Sequence, residues 1–384
     1  MSHPASHTPA TASKKPQART QNSVPWFWPF EMLTAVTEAE FQTFLRGFET
    51  LAEAVKLDGG LTPTFATPNQ ILLDLHTLRL RDFTPASAPS QIPTVIDAPF
   101  AGHSSSIADY APGQSLVETL MANGVQRLYV TDWRSATPEM KDYDIDNYLA
   151  ELNVVVDELG GRVNLIGLCQ GGWMSTMYAA RYPHKVRSLV LAGSPIDTDA
   201  GHGPIREMAH KLDMASFAKL VELGGGFMRG RMMLAAWKNM HSEEQYFGKY
   251  LELYEHIDDP GYVKKQEEFE AWYENPIDLP GRWYLQAVEQ LFKENRLAKG
   301  RFVGLGRTLS LKDIRCPVTL LAGDRDDITT SEQVFNADRY LGTPPEDIVK
   351  ILAAGGHIGL FMGSKTLREH WPGIGQWVAA LSKP

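Results

Sequence analysis

Large hydrophobic residues are almost absent from residues 1–24, which are rich in Ser, Pro, Thr and Ala. A segment of this composition cannot bury enough apolar surface to fold, so we predict a disordered tail. Beyond it, apolar residues recur at helical spacing between Phe41 and Phe48. We therefore predict that residues 25–75 form an amino-terminal helical segment that packs on the core.

Short apolar runs that alternate with helix-forming segments begin near residue 76. The run at 78–83 alternates polar and apolar positions with a period of two, which predicts a half-exposed edge strand. Longer apolar runs bounded by turn residues predict buried strands. These runs are 93–97, 127–131, 163–167, 186–192, 315–323 and 348–352. Helical patterns separate them at 115–123, 145–159, 172–181 and 331–341, and a last one lies at 366–381.

Strands alternating with helices of this length predict a mostly parallel sheet with helices on both faces. We expect this α/β core to comprise residues 76–199 and 313–384. The alternation stops at residues 200–312, which are helix-like and rich in Met and aromatic residues. In open α/β sheets ligands bind at the carboxyl ends of the strands, and we predict that this insertion is a helical lid there.

Charge and composition exclude several functions. The 384 residues carry 37 basic and 46 acidic side chains, a net charge of -9, so binding to nucleic acid through a basic surface is not expected. Two cysteines cannot build a disulfide framework, and nothing has the spacing of a metal site. No signal peptide and no transmembrane run of about 18 apolar residues is visible. We expect a cytoplasmic protein without a metal.

Residues 167–172 read Gly-Leu-Cys-Gln-Gly-Gly, between a predicted strand and a predicted helix. The pattern Gly-x-nucleophile-x-Gly in this context is typical of a nucleophile elbow. Glycines on both sides let the strand and the helix approach closely, which exposes the side chain at the turn. We therefore predict that Cys169 is the nucleophile and that the backbone N–H of Gln170 is an oxyanion donor. Cys316, at the start of a buried strand, is predicted to be a core residue.

A cysteine nucleophile needs a base, and the base needs a group that orients it. The chain order expected after such an elbow is nucleophile, acid, histidine. Three aspartates follow the strand at 315–323. Asp326, three residues past the last glycine of that strand, is the predicted acid, with Asp327 or Asp324 as the alternative. His357 follows the next strand, in a loop with two glycines, and is the predicted base.

The loop after the strand at 93–97 is also expected to face the site, because this loop supplies the second oxyanion donor in enzymes with such an elbow. It contains Gly102 and His103. We predict that these two residues give backbone support to the oxyanion and contact the substrate.

With these residues in place, the chain resembles the polyhydroxyalkanoate synthases, cysteine acyltransferases of the α/β-hydrolase fold. Their Gly-x-Cys-x-Gly-Gly box matches residues 167–172, and the resemblance spans roughly residues 76–382. Further matching motifs, in the expected order, are Tyr129-Val130-Thr131-Asp132-Trp133, Asp146-Asn147-Tyr148, Leu279-Pro280-Gly281, Glu294-Asn295-Arg296-Leu297 and Gly355-Gly356-His357-Ile358-Gly359.

The chain departs from the pattern of these synthases at two motifs. At the acid, the synthases have Asp-His-Ile, whereas this chain has Asp326-Asp327-Ile328. At the second motif they have Trp-Asn-x-Asp, whereas this chain has Trp272-Tyr273-Glu274-Asn275. The region before the core is also short, as in the short synthases that work with a second subunit.

The resemblance implies a Cys169–His357–Asp326 triad that moves hydroxyacyl groups from CoA thioesters to a hydroxyl, with acyl-CoA as substrate and no cofactor. It also implies a homo-oligomer or a second subunit, and association with polyester granules. An aromatic cluster at residues 26–28 is a candidate for contact with a granule or partner. Two alternatives remain open: a hydrolase (depolymerase, thioesterase or esterase) with the same triad, and a non-catalytic granule protein.

Overall fold

The computed structural model describes residues 63–240 and 260–383. The predicted tail at 1–24 and most of the predicted helical segment at 25–75 lie outside the described residues. Where that segment is described, the prediction of a helix is wrong, because residues 70–74 form a strand that pairs with the next one. The strands of the main sheet are β1 (Gln70–Asp74), β2 (Leu78–Asp82), β3 (Thr94–Asp97), β4 (Leu128–Trp133), β5 (Val163–Leu168), β6 (Val186–Ala192), β7 (Val318–Gly323) and β8 (Ile348–Ala353).

The main sheet has the order β1-β2-β4-β3-β5-β6-β7-β8. The six strands β3, β4, β5, β6, β7 and β8 run parallel to one another. β1 and β2 are antiparallel to their neighbours. The predicted mostly parallel sheet is confirmed. Because the carboxyl ends of the parallel strands meet at one edge, the loops after β3, β5, β7 and β8 share that edge.

The expectation that residues 78–83 form an edge strand is wrong. β2 lies between β1 and β4, and β1 is the edge strand. The period of two arises because Leu78 and Leu80 are fully buried on one face, whereas Arg79 and Arg81 lie on the other. Arg81 pairs with Asp132 of β4 at 2.7 Å. The period of two therefore indicates that one face of the strand is partly exposed, and an inner strand can have such a face as well as an edge strand.

Helices cover both faces of the sheet, as predicted. Alternate side chains of β5 enter two separate apolar cores: Leu165 packs with α2 and α3, and Ile166 packs with α1 and α12. The helices are α1 (Leu116–Ala122), α2 (Ile145–Glu158), α3 (Gln170–Arg181), α4 (Pro204–Lys211), α5 (Met214–Leu223), α6 (Gly230–Met240), α7 (Pro260–Tyr273), α8 (Gly281–Gln286, continued by a π-helical turn Ala287–Lys293), α9 (Ser331–Phe335), α10 (Gly359–Met362), α11 (Ser364–Glu369) and α12 (Trp371–Leu381).

Helices α4 to α8 occupy the span predicted as a lid and are called the cap from here. A buried carboxylate joins the cap to the core, because Asp197, after β6, accepts a hydrogen bond from Asn295 Nδ2 at 2.7 Å. Asn295 adopts a positive φ of 50°, a region that Asn tolerates better than most residues. The second oxygen of Asp197 accepts hydrogen bonds from Asn336 and Tyr340, each at 2.9 Å. No helix in the described part of the chain is long and apolar enough to span a membrane.

Candidate active site

Cys169 lies at a sharp turn directly between β5 and α3. Its backbone has φ 50° and ψ -114°, a strained conformation for a residue with a side chain. The turn leaves no room for side chains at its glycines: a Cβ on Gly171 would lie 1.9 Å from the carbonyl oxygen of Asp97, and one on Gly167 would lie 2.4 Å from Gly172 Cα. The close approach of β5, α3 and β3 therefore holds the Cys169 backbone in its strained position.

The two side chains predicted to serve Cys169 meet across the loops after β7 and β8. His357 Nδ1 lies 2.7 Å from Asp326 Oδ2, and the Asp326 side chain is fully buried. The other carboxylate oxygen accepts the backbone N–H groups of Ile328 and Thr329, at 3.0 Å and 2.8 Å, which fixes the orientation of the carboxylate. Asp324 instead accepts a hydrogen bond from the Gly355 N–H, so it ties the two loops together.

The His357 ring is held between the acid and the thiol. Burial lowers the pKa of His357, but the negative charges of Asp326 and Cys169 and hydrogen bonds to both raise it, and the net pKa is well above its ordinary value. Gly193, with φ 55°, lies beneath the ring, and a Cβ there would lie 3.2 Å from His357 Cε1. Cys169, His357 and Asp326 thus follow one another in the order that nucleophile activation requires, and a hydrogen bond joins the last two.

The loop after β3, residues 98–104, is called the β3 loop from here. The Gly102 N–H donates to the Phe100 carbonyl at 2.9 Å, so the predicted oxyanion support from Gly102 does not have a free amide. Ala101 lines the cavity beside Cys169, and its N–H has no acceptor among the described residues. Gln170 begins α3, where the first amides have no partner within the helix, and its side chain accepts the Phe100 N–H at 3.0 Å.

His103 turns away from the nucleophile towards the cap. Its ring stacks on Trp272 with centroids 4.6 Å apart, and Nε2 lies 3.0 Å from the carbonyl oxygen of Tyr273. Burial lowers the pKa of His103 to about 4, although the hydrogen bond to Tyr273 opposes this, and the positive charge of Lys238 acts in the same direction as burial. The ring is neutral at pH 7, and Nε2 carries the proton because a carbonyl oxygen can only accept. His103 therefore lines the cavity and binds the cap, and it does not serve as an acid or base.

A cavity of about 580 Å³ lies between the core and the cap and includes Cys169 and His357 in its lining. Its wall is mostly apolar, and most of that wall comes from the cap. Cap residues in the wall include Met208, Phe217, Met228, Met232, Trp272 and Trp283. An apolar chamber with a few convergent polar groups at one end is the form of a site for a hydrophobic ligand with one reacting group.

The second cysteine has a different environment. Cys316 packs against the core between the sheet and its helices, and burial raises the pKa of its thiol to about 12. A thiol with this pKa stays protonated at neutral pH and is a poor nucleophile. Within residues 63–240 and 260–383, no group of three or more His, Cys, Asp or Glu side chains could hold a metal ion.

A buried carboxyl group that no sequence motif indicates lies behind the elbow. Asp97, at the end of β3, is fully buried and accepts hydrogen bonds from Ser175 at 2.9 Å and Trp133 Nε1 at 3.2 Å. Burial raises the pKa of Asp97 to about 7, although these hydrogen bonds act in the opposite direction. In sequence Asp97 resembles any strand-end residue, and only its contacts across three elements reveal its burial.

We predict that Asp97 makes the folded protein less stable as pH rises. Its folded pKa of about 7 is above the unfolded value of 3.8, so the folded state holds the extra proton between about pH 4 and 7. Stability therefore falls through this window, by about 4 kcal/mol at most. The Asp97→Asn variant should lose that part of the fall in urea unfolding measured at pH 5 and pH 8. Equal pH dependence in both proteins would contradict the prediction.

The sequence did not assign Ala101 or Trp272 to the site. Trp272 was noted only as part of a departure from a motif, in a span rich in aromatic residues. Its neighbour in space, the β3 loop, is about 170 residues away in sequence. Only a helical prediction for the residues before Trp272, combined with the lid hypothesis, could have placed it over Cys169.

Comparison with known proteins identifies the family. The model of a family described as a protein of unknown function, DUF3141, matches residues 74–377. The chain belongs to the DUF3141 family. This match covers β2 through β8, the cap, and Cys169, His357 and Asp326.

Curated relatives of this DUF3141 chain carry the name Poly(3-hydroxyalkanoate) polymerase subunit PhaC. The protein from Haloferax mediterranei is 27% identical over 329 residues, covering 83% of this chain and 65% of the relative. The protein from Allochromatium vinosum is 26% identical over 342 residues, covering 87% of this chain and 93% of the relative. The predicted resemblance to the polyhydroxyalkanoate synthases is confirmed.

A solved structure gives the fold of the DUF3141 chain. The monoacylglycerol lipase of Paleococcus ferrophilus superposes with a TM-score of 0.52 and 18% identity, covering 79% of this chain and 99% of the lipase. At this identity the likeness bears on the fold alone. Together with the sheet order, it confirms the predicted α/β-hydrolase fold with a mostly parallel sheet and helices on both faces.

Proposed function

We propose that this protein is an acyltransferase that moves hydroxyacyl groups from CoA thioesters to a hydroxyl, with Cys169 as the acyl carrier. The observation that carries the proposal is the hydrogen-bonded pair His357–Asp326, with His357 and Cys169 together in the lining of the apolar cavity. The names of the curated relatives support the choice of substrate class.

In the first half-reaction, His357 takes the proton of the Cys169 thiol as Sγ attacks the thioester carbonyl carbon. The amides of Gln170 and Ala101 are the proposed donors to the oxyanion of the tetrahedral intermediate. The carbon–sulfur bond to CoA then breaks, and the CoA thiolate takes the proton from His357. Asp326 stabilises the imidazolium that exists between these two proton transfers.

In the second half-reaction, His357 takes a proton from the incoming hydroxyl, whose oxygen attacks the acyl carbon on Cys169. The carbon–sulfur bond to Cys169 breaks, and the imidazolium returns the proton to Sγ. The acyl-enzyme is itself a thioester, so its formation from acyl-CoA is close to balanced in free energy and the acyl group stays activated. The apolar cavity wall excludes water, which favours transfer over hydrolysis.

An acyl-CoA assay tests the proposal. Purified protein is incubated with 3-hydroxybutyryl-CoA, with and without a soluble 3-hydroxyacyl ester as acceptor, while CoA release and products are followed. The proposal predicts CoA release with an oligoester or polyester as product. Free 3-hydroxybutyrate as the sole product would show a hydrolase with the same residues, and no CoA release would contradict both enzymatic readings. Cys169→Ala is the control for background hydrolysis.

The same proposal includes an association with polyester granules and with another subunit, since the relatives are named polymerase subunits. The aromatic cluster Trp26-Phe27-Trp28, outside the described residues, is the proposed contact. We predict that deletion of residues 1–32 reduces cosedimentation with granules and leaves turnover of a small soluble thioester within about threefold. Full cosedimentation of the shortened protein would exclude this segment as the contact.

A further inference from the structure

The β3 loop is bound to the cap through three consecutive residues. The Ile277 N–H donates to the Gly102 carbonyl at 2.8 Å. Trp272 Nε1 donates to the Ser104 carbonyl at 3.0 Å. Between them, His103 Nε2 donates to the Tyr273 carbonyl at 3.0 Å. One side of this junction is the β3 loop. The other side is residues 272–277, which begin with the last two residues of α7.

The junction is shielded from water. Trp272 and Tyr273 are 3% and 5% exposed, and both rings stack against His103. Phe269 stacks on Tyr273 from the other side, with centroids 5.4 Å apart. Hydrogen bonds in such a surrounding are stronger than those at the surface, and leaving one unmade costs more. The three contacts therefore act together to hold the loop.

The core holds the start of the β3 loop, and the cap holds its end. Phe100 is fully buried, and its ring stacks on Tyr148 of α2 with centroids 5.0 Å apart. Gly102 has a φ of 102°, and such a glycine fixes the backbone weakly because many conformations are open to it. At its start the loop is held by Gln170, which accepts the Phe100 N–H. Ala101 lies between that point and the junction, so the position of its amide depends on both ends.

We propose that Trp272 and His103 are positioning residues, which hold the Ala101 amide at the reacting carbonyl only when the cap lies on the core. This inference rests on the proposed function, since it assigns the cap a part in stabilising the oxyanion. The reaction is then coupled to the position of the cap. When the cap is displaced, the nucleophile Cys169 and the base His357 stay in place, but the site lacks its full set of oxyanion donors.

The test uses two matched variants of the full chain. Trp272→Phe keeps an aromatic ring against His103 and in the cavity wall but removes the donor to Ser104. Trp283→Phe makes the same change at a second tryptophan of the same wall, whose Nε1 has no acceptor among the described residues. Four quantities are measured: kcat and KM with 3-hydroxybutyryl-CoA, the alkylation rate of Cys169 by iodoacetamide, and hydrogen exchange of the β3 loop amides.

Alkylation separates positioning from general damage. In that reaction Sγ forms a bond to the methylene carbon and iodide leaves, so no oxyanion develops and the β3 loop has no part. For Trp272→Phe we expect kcat to fall about 10- to 100-fold, since a lost oxyanion donor costs about 10²–10³-fold in rate and a displaced one less. KM should stay within threefold and alkylation within twofold, with faster exchange in the β3 loop. The Trp283 ring packs against Phe100 of the β3 loop, with centroids 5.1 Å apart, but donates no hydrogen bond to the loop. Trp283→Phe should therefore change KM and should raise loop exchange less than Trp272→Phe does.

Two results would overturn the inference. One is unchanged exchange of the β3 loop in Trp272→Phe, because the cap would then not hold the loop. The other is a parallel fall of kcat and alkylation, which indicates a general structural role. Hydrogen exchange needs no substrate, so it decides whether cap and loop are coupled even if wild-type protein releases no CoA. Absence of CoA release by the wild-type protein would count against the proposed function instead.

Discussion

Replacing Cys169 by Ala should reduce thioester turnover by at least about 10³-fold, because a nucleophile in a triad accounts for several orders of magnitude of rate. The fold should survive the change. Ala has the same difficulty as Cys at a φ of 50°, and the side chain that is removed is small, partly buried and part of the cavity lining. The measurement is the initial rate of CoA release together with the midpoint of thermal unfolding.

The matched control is Cys316→Ala. This half-buried thiol packs against the core, and its raised pKa makes it unreactive at neutral pH. We expect turnover within about twofold of wild type and a loss of about 1–2 kcal/mol in the free energy of unfolding, since one small buried side chain is shortened. Retention of more than about a tenth of the wild-type rate by Cys169→Ala, after correction for background hydrolysis, would exclude Cys169 as the nucleophile.

Asp326→Asn should lower kcat by about 10³-fold, whereas Asp327→Asn should lower it less than about fivefold. The Asp326 carboxylate contacts the imidazole at 2.7 Å, and two backbone amides fix its orientation. An amide in its place can present its N–H₂ to Nδ1 and favour the wrong tautomer of His357. The two variants make the same change at adjacent positions of one loop. The difference between their kcat values therefore measures the effect of the contact with His357.

The pKa of His357 gives an independent measurement for the same pair of variants. The negative charge of Asp326 is the largest of the interactions that raise this pKa, so the pKa should fall in Asp326→Asn and change less in Asp327→Asn. Titration of the His357 ring by NMR measures the shift directly. A larger loss of kcat and a larger shift at Asp327 would move the role of the acid to that residue.

The sequence predicted what depends on local pattern. The elbow at Cys169 follows from glycines whose spacing is set by the close packing of β5 and α3, and such spacing is visible in a single chain. Asp326 and His357 follow the ends of two strands whose apolar runs are unmistakable, so their approach was expected once the sheet was predicted to be parallel. The geometry adds the distance and the burial of the pair.

Other features depend on contacts between distant segments or on the direction of single backbone amides. A local turn engages the Gly102 N–H, so we assign the oxyanion donor to Ala101 instead, and no residue type indicates such a turn in advance. β1 was missed because four of its five residues are exposed, so it shows no alternation. The raised pKa of Asp97 follows from burial by three elements, which the strand-end position alone does not indicate.

The division of the cavity between two parts of the chain has a consequence for how this protein can diverge. Under the proposed function the reacting groups come from loops of the core, and the apolar wall that would face the acyl chain comes mostly from the cap. Substitutions at Met208 or Phe217 can reshape the chamber for longer or shorter acyl chains and leave the reacting groups as they are. Trp272 does not share this freedom, because it serves both parts at once. Directed evolution of chain-length preference would therefore vary the methionine-rich wall and keep that one tryptophan constant.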